Sequence, residues 1–409
     1  MLSWGVHGWI NSAFNLSVTT IGAGVLAIPS TFQQGGVVFV LLVLSMVALL
    51  TVVSIDYLVL CVDWLHLKSY EDISRELLGK TFEEAIRWIL IVYSIGIAAG
   101  YVVVIGEIFH PMLPIFKQYV PFLDTSQHVT VAVWVLTMLP LSCLPKLDHL
   151  NQISFLAIAS TFFISAVIVY RYFSPLENAK ERGEVVYFIA SWKGLLAVPV
   201  MMFSFDCQSL VFQIYTNLNT VSRKSMLKVS SLSVFITGTV YFLVGFFGYV
   251  SNTPNITGNI LINYDPVKDR LMMAAQSFYA LTVIIAYVLV LFPCRDAVFM
   301  LVFGYSSATH ELKHSAIPNS HVIVTSFLLS VVSLLIALKA KSIIFLIAIL
   351  GGLCSSTLCY TYPAAFRLAL HIRGIYRCNR LGLWTAVFML AIGVVFCFVG
   401  TAVALLHVG

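Results

Sequence analysis

Apolar runs of about 20 residues recur along the whole 409-residue chain, and this repetition leaves few architectures open. A hydrocarbon core about 30 Å thick offers no water, so each backbone N–H and C=O must be bonded within the protein. A run of this length therefore crosses as a helix. Taken in order, the runs place spans at 9–31, 36–62, 84–110, 128–147, 151–173, 188–217, 229–251, 271–299, 321–339, 342–370 and 382–406, with Gly35-Gly36 as the turn between the first two. Composition agrees: 60% of residues are hydrophobic and 10% charged, with mean hydropathy +0.95, where a soluble domain carries roughly 25% charged residues. The expectation is an all-α integral membrane protein of eleven transmembrane helices, folded as a single transmembrane domain over residues 1–409.

Orientation is read from lysine and arginine in the short loops. With the N-terminus in the cytosol, inner loops hold Lys68, Arg75, Lys80, Arg87, Lys146, Arg223, Lys224, Lys228, Arg295, Lys313, Arg367, Arg373, Arg377 and Arg380, out of 23 basic residues. The C-terminus then faces outside or a lumen. Asn255-Ile256-Thr257 is a glycosylation acceptor pattern in an outer loop of that arrangement, which makes Asn255 a candidate. The first apolar run is too long, and lacks the basic lead, for a cleavable signal peptide. The eight cysteines show no CxxC pairs or histidine partners at metal spacing, so neither a disulfide framework nor zinc is expected. The net charge of +5 sits mostly in inner loops and does not point to nucleic acid.

The first span is unusual. "TIGAGVLAIPSTF", Thr20 to Phe32, carries Gly22, Gly24 and Pro29 in the middle of a membrane-crossing run. Unwinding at Gly22-Ala23-Gly24 frees backbone groups that lipid does not tolerate unless they line a polar cavity or hold a ligand. Freed N–H groups at the start of a half-helix suit a carboxylate, and freed carbonyls suit an ammonium group. Glycines packing against neighbouring helices would explain the same residues. A second interruption, "VPVMMFSFDCQSLVFQIYTNL", places Pro199 and Asp206 inside the sixth span. Irregular helices at positions one and six are the pattern of secondary transporters with an inverted five-helix repeat, in which the two discontinuous helices meet at the midplane.

The residues around these breaks resemble the amino acid/auxin permease family, particularly its sodium-coupled neutral amino acid transporter branch. "FNLSVTTIGAGVLAIPSTF" is similar to that family's first span. In the sixth, Phe203, Phe205, Cys207, Ile214, Tyr215, Thr216 and Leu218 fall at family positions, and Ser222, Arg223, Met226, Val229, Ser230 and Ser233 continue the match. "LFPCRDAV" resembles the family's Phe-Pro-x-Arg turn, and "GGLCSSTLCYTYPAAF" its tenth span. The resemblance implies an eleven-helix transporter moving amino acids by alternating access, with the substrate carboxylate near Gly22, Ala23 and Gly24. It places the ammonium near the carbonyls of Phe203, Ser204 and Phe205.

The sequence departs from the branch at the cation site. Val18, Ile284 and Ala286 stand where oxygen-bearing side chains are expected, and a hard cation needs oxygen ligands. Thr282 or Ser277 would reach the site only after a one-turn slip, so proton coupling or uncoupled exchange is favoured over sodium, and no cofactor is expected. Asp206 replaces an apolar residue; it is read as a proton carrier, as the partner of a cationic substrate side chain, or as a cap on the second half-helix. Glu107 reads as an interfacial carboxylate facing water or pairing with Lys117, and Asp56 as an interfacial residue with Asp63 or one with a buried partner. Tyr101, Tyr93 and Ser355-Ser356-Thr357 are candidates to line the side-chain pocket. No nucleophile with a base, paired acidic motif or HExxH pattern supports an enzyme. The favoured substrate is a neutral amino acid, with a cationic amino acid transporter and a non-transporting amino acid sensor as alternatives. The membrane is the plasma membrane or that of an acidic compartment.

Overall fold

The computed structural model describes residues 8–120, 124–144, 150–176, 182–189, 191–302, 318–340 and 342–407. Lys146 and Lys313, counted above for orientation, and the Val18 side chain lie outside the described set. The helices are α1 (Trp9–Thr20), α2 (Gly24–Gly35), α3 (Val37–Leu65), α4 (Tyr70–Leu77), α5 (Lys80–Phe109), α6 (Leu113–Tyr119), α7 (Ser126–Val133), α8 (Leu139–Ser142), α9 (Leu150–Phe173), α10 (Ala197–Ser204) and α11 (Gln208–Thr216). They continue as α12 (Arg223–Asn252), α13 (Arg270–Val302), α14 (Asn319–Lys339), α15 (Ile343–Leu350), α16 (Tyr362–Ile372) and α17 (Arg380–His407). Two π-helical stretches, Trp134–Met138 and Gly351–Thr361, link α7 to α8 and α15 to α16.

Among the described residues, eight helical segments are long and apolar enough to cross a membrane: Val37–Leu65, Lys80–Met112, Trp192–Thr216, Arg223–Asn252, Arg270–Phe299, Asn319–Lys339, Ile343–Ile372 and Arg380–Leu406. The first sequence segment falls short of that measure because it is split into α1 and α2, of 12 residues each. The fifth is represented by the apolar stretch Ala159–Phe173.

The chain divides into two compact units. One, the broken-helix unit, is built from Ser3–Ile89, Glu184–Tyr249 and Ile347–Gly409, and the second mainly from Leu90–Gly183 and Val250–Leu346. In the broken-helix unit the turn between α2 and α3 is made by Gly36, whose φ of +78° lies in the left-handed region that favours glycine. A Cβ there would stand 2.7 Å from the Phe188 Cα, because the segment before α10 lies across this turn. Ile189 donates its N–H to the Gly35 carbonyl at 3.1 Å, and Val38 donates to Tyr187 at 2.9 Å. Asp56 of α3 accepts from Nε and Nη2 of the partly exposed Arg223 guanidinium, both at 2.6 Å, while Asp63 accepts the Tyr215 hydroxyl at 2.5 Å.

In the second unit α13 packs along α9, and Phe163 meets Phe278 edge to face with ring centroids 6.3 Å apart. Tyr287 holds α13 to its neighbours: its hydroxyl shares hydrogen bonds with Ser330 at 2.6 Å and Ser333 at 3.0 Å on α14, and accepts from the Trp134 indole at 3.2 Å. At the start of α13, Asp269 is 2% exposed, takes two 2.6 Å bonds from Arg171 of α9, and caps the helix through the N–H groups of Leu271 and Met272. Removing one partner of such a buried pair strands the other charge, at about 3–5 kcal/mol. Arg171→Met is therefore expected to lower the unfolding midpoint in detergent clearly, and Asp269→Asn added to it to recover part of the loss, since an asparagine still caps but carries no charge. A midpoint unchanged in the single variant would show that the pair contributes nothing.

Candidate functional site

Both predicted breaks are present, and they lie in the same unit. Hydroxyls in the last turns of α1 bond back to their own helix, Ser17 to the Ala13 carbonyl at 2.8 Å and Thr20 to Leu16 at 2.6 Å, a pattern that weakens a helix end. Helix α1 then stops at Thr20, and Gly22 donates its N–H to the Thr20 carbonyl at 2.8 Å. The chain re-enters a helix at Gly24. The N–H groups of Ala23 and Gly24 have no hydrogen-bond acceptor among the described residues, so the N-terminus of α2 presents the unpaired donors that its dipole makes attractive to an anion.

The second break spans Phe205-Asp206-Cys207, between α10 and α11. Pro199 does not cause it: the proline sits in the first turn of α10, where its missing N–H costs nothing. Its carbonyl carbon instead lies where a Cβ on Gly351 would come within 2.7 Å, so this glycine lets the π-helical stretch press against α10. Gly24 does the same between α2 and α10; a Cβ there would lie 2.9 Å from the Ser204 Cβ and 3.0 Å from its Cα. The packing reading and the ligand reading of Gly24 thus describe one arrangement, in which close approach of the helices brings the two breaks together.

A residue not singled out in the sequence joins them. The Tyr241 hydroxyl, from α12, lies 3.0 Å from the Thr20 carbonyl and 2.6 Å from the Ser204 carbonyl, donating its one hydrogen between the ends of the two half-helices. Its ring stands edge-on to Phe205 with centroids 5.2 Å apart. A phenol at membrane depth needs a hydrogen-bond partner, which is the signal by which Tyr241 was legible.

Asp206 turns toward the π-helical stretch. Its carboxylate accepts a hydrogen bond from Ser355 Oγ at 3.1 Å and from the Cys359 thiol. The N-cap of α11 is Cys207, whose N–H goes to the Gln208 side chain at 2.9 Å and whose own side chain makes no capping bond. The carbonyls of Leu358 and Cys359 accept from Tyr70 at 3.0 Å and from Ser54, outside the helix, as a π-helix permits.

The other candidates scatter. Phe203 is half-buried and Phe205 fully buried, while Ser204 donates its hydroxyl to Val200 at 2.8 Å. Ser356 and Thr357 bond back to Gly352 and Leu353. Tyr101 and Tyr93 belong to α5 in the second unit, where Tyr101 is near enough to Tyr279 for their hydroxyls to interact. In that unit the Thr282 hydroxyl meets Ser160 and the Phe278 carbonyl, and exposed Ser277 bonds the Met273 carbonyl at 2.8 Å. Glu107 does not pair with Lys117: its two oxygens accept from the Asn259 side chain at 2.8 Å and from the Ile343 N–H at 3.2 Å, so the carboxylate holds the start of α15. Asn255 lies in an exposed loop.

The family model described as transmembrane amino acid transporter protein matches residues 5–406. The chain belongs to that family. It is a multi-pass membrane transporter and not an enzyme. The vacuolar amino acid transporter 5 of Schizosaccharomyces pombe is 26% identical over 370 residues, covering 88% of this chain and 84% of its own. Among solved structures, the substrate-bound outward-open state of a sodium-coupled sialic acid symporter shares the fold with a TM-score of 0.53 at 12% identity, covering 99% of this chain and 91% of that one.

In this transporter the Tyr241 hydroxyl occupies carbonyls at both breaks. Tyr241→Phe keeps the ring against Phe205 and deletes only the bridge, a loss of about 1–3 kcal/mol. The expected result is a KM raised roughly tenfold, the change that 1.4 kcal/mol produces, with the protein still expressed and folded and its unfolding midpoint lowered. A KM equal to that of the unsubstituted protein would remove Tyr241 from the site.

Proposed function

We propose that this chain is a secondary active amino acid transporter working by alternating access, with the substrate held between its two broken helices. The observation that carries the reading is the meeting of α2 and α10 at Gly24 and Ser204, with unpaired Ala23 and Gly24 N–H groups on one side and carbonyls at the end of α10 on the other. Donors at a helix N-terminus suit a carboxylate, and carbonyls at a helix C-terminus suit an ammonium group. An α-amino acid carries both on one carbon. Gly22, Ala23 and Gly24 then bind the carboxylate, and Phe203, Ser204 and Phe205 bind the ammonium.

The full architecture we infer is one transmembrane transporter domain of eleven spans, with α1–α2 as the first and α10–α11 as the sixth, in an inverted five-helix repeat. A neutral substrate is supported by the hydroxyl and thiol already bonded to Asp206, which occupy part of the carboxylate a cationic side chain would need. Proton coupling or uncoupled exchange is favoured over sodium, because the side chains of Ile284 and Ala286 carry no oxygen for a hard cation. The vacuolar relative favours an acidic compartment, with the N-terminus in the cytosol and the C-terminus in the lumen.

Radiolabelled leucine, glutamine and arginine uptake into proteoliposomes, under an imposed proton or sodium gradient and with Asp206→Asn in parallel, tests these assignments. The expected outcome is neutral uptake driven by protons, with the substitution removing the drive and leaving exchange. Arginine uptake alone, abolished by Asp206→Asn, would assign Asp206 to the substrate side chain, and no uptake of any amino acid in either direction would overturn the transport reading. Orientation is checked separately: expressed in a glycosylating host, the protein is expected to lose a glycosidase-sensitive mass on Asn255→Gln, and modification is not expected if that loop faces the cytosol.

A further inference from the structure

Arg295 takes no part in the site described above. It lies in α13, near the end of the apolar stretch Arg270–Phe299, and is 1% exposed. Its Nη1 donates to the Leu144 carbonyl and to Ser326 Oγ, both at 3.3 Å, and its guanidinium plane lies 4.2 Å from the centre of the Phe292 ring. Nε and Nη2 are also buried, yet neither has a hydrogen-bond partner among the described residues. These two nitrogens form one edge of the planar group, the edge that grips two oxygens of a single oxyanion through parallel N–H bonds. The neighbouring Asp296 lends nearby negative charge but fills neither position, since consecutive residues leave a helix in different directions. A buried guanidinium with its bidentate edge unused is an unfinished ion site.

We propose that this edge binds a phosphate oxyanion. The position favours phosphate: Arg295 lies in the last turn of the apolar stretch Arg270–Phe299, and basic side chains near the ends of membrane spans meet anionic lipid headgroups. Phe292 covers one face of the guanidinium, and Ser326, itself 2% exposed, fixes the other edge, so the Nε and Nη2 donors are held ready. The phosphate comes from an anionic phospholipid headgroup or from the free ion, and the two sources are separable.

The full-length protein, purified in detergent, is titrated with phosphatidylinositol, with phosphatidylcholine as the zwitterionic reference, and separately with inorganic phosphate; the readouts are thermal midpoint and native mass spectra. The expected result is a midpoint raised by phosphatidylinositol more than by phosphatidylcholine, with a retained lipid adduct. Arg295→Lys, which keeps the charge and loses the parallel fork, is expected to weaken retention at least tenfold. A shift with inorganic phosphate alone keeps the phosphate site and assigns it to the free ion. Unsubstituted protein carrying no phosphate-bearing adduct and showing no shift overturns the proposal, as does Arg295→Lys retaining ligand like the parent. None of these readouts depends on amino acid uptake, so this site and the transport reading stand or fall separately.

Discussion

The phenolic hydroxyl of Tyr241 lies between two helix ends that would otherwise expose carbonyls in a membrane, and the broken-helix unit is organised around that bridge. A break within lipid is tolerable only when something else in the protein bonds the freed groups. Tyr241 does so for Thr20 and Ser204, and Gly24 lets α2 come close enough for one side chain to reach both. The donors left over, at Ala23 and Gly24, are those that a substrate can use.

The same accounting extends to the rest of the molecule. Two carboxylates have bidentate partners, the partly exposed Asp56 with Arg223 in the broken-helix unit and the buried Asp269 with Arg171 in the second unit. Glu107 spends its oxygens on Asn259 and on the first N–H of α15, and Asp206 spends part of its carboxylate on Ser355 and Cys359. Buried Arg367 leaves one nitrogen without a hydrogen-bond partner among the described residues, whereas Arg295 leaves two, Nε and Nη2, on the same edge of its guanidinium.

Much of the fold was legible in the sequence because apolar length and helix breakers act locally. The Gly35-Gly36 turn, the break at Gly22 and the irregular sixth span stand where the residues placed them. Pro199 was a misleading marker: in the first turn of α10 a proline is harmless, and the true break falls after Ser204, where no residue in the sequence is a helix breaker. The long π-helical stretch at Gly351–Thr361 had no local signature, since it depends on Gly351, Gly352 and Gly393 admitting α10 and α17.

The sequence by itself determined that this chain lives in a membrane as a bundle of helices, that two of those helices are interrupted, and that the first interruption carries glycines. Hydrophobic length and backbone freedom are properties of short stretches, and short stretches display them. Only the tertiary structure decided which carbonyls Tyr241 reaches, that Asp206 accepts from Ser355 on the π-helical stretch, and that Glu107 holds α15 rather than pairing with Lys117. Partners in a hydrogen bond are chosen by distance and direction across elements up to more than two hundred residues apart in the chain, as Tyr241 and Thr20 are, and nothing in the local sequence of either one encodes the other.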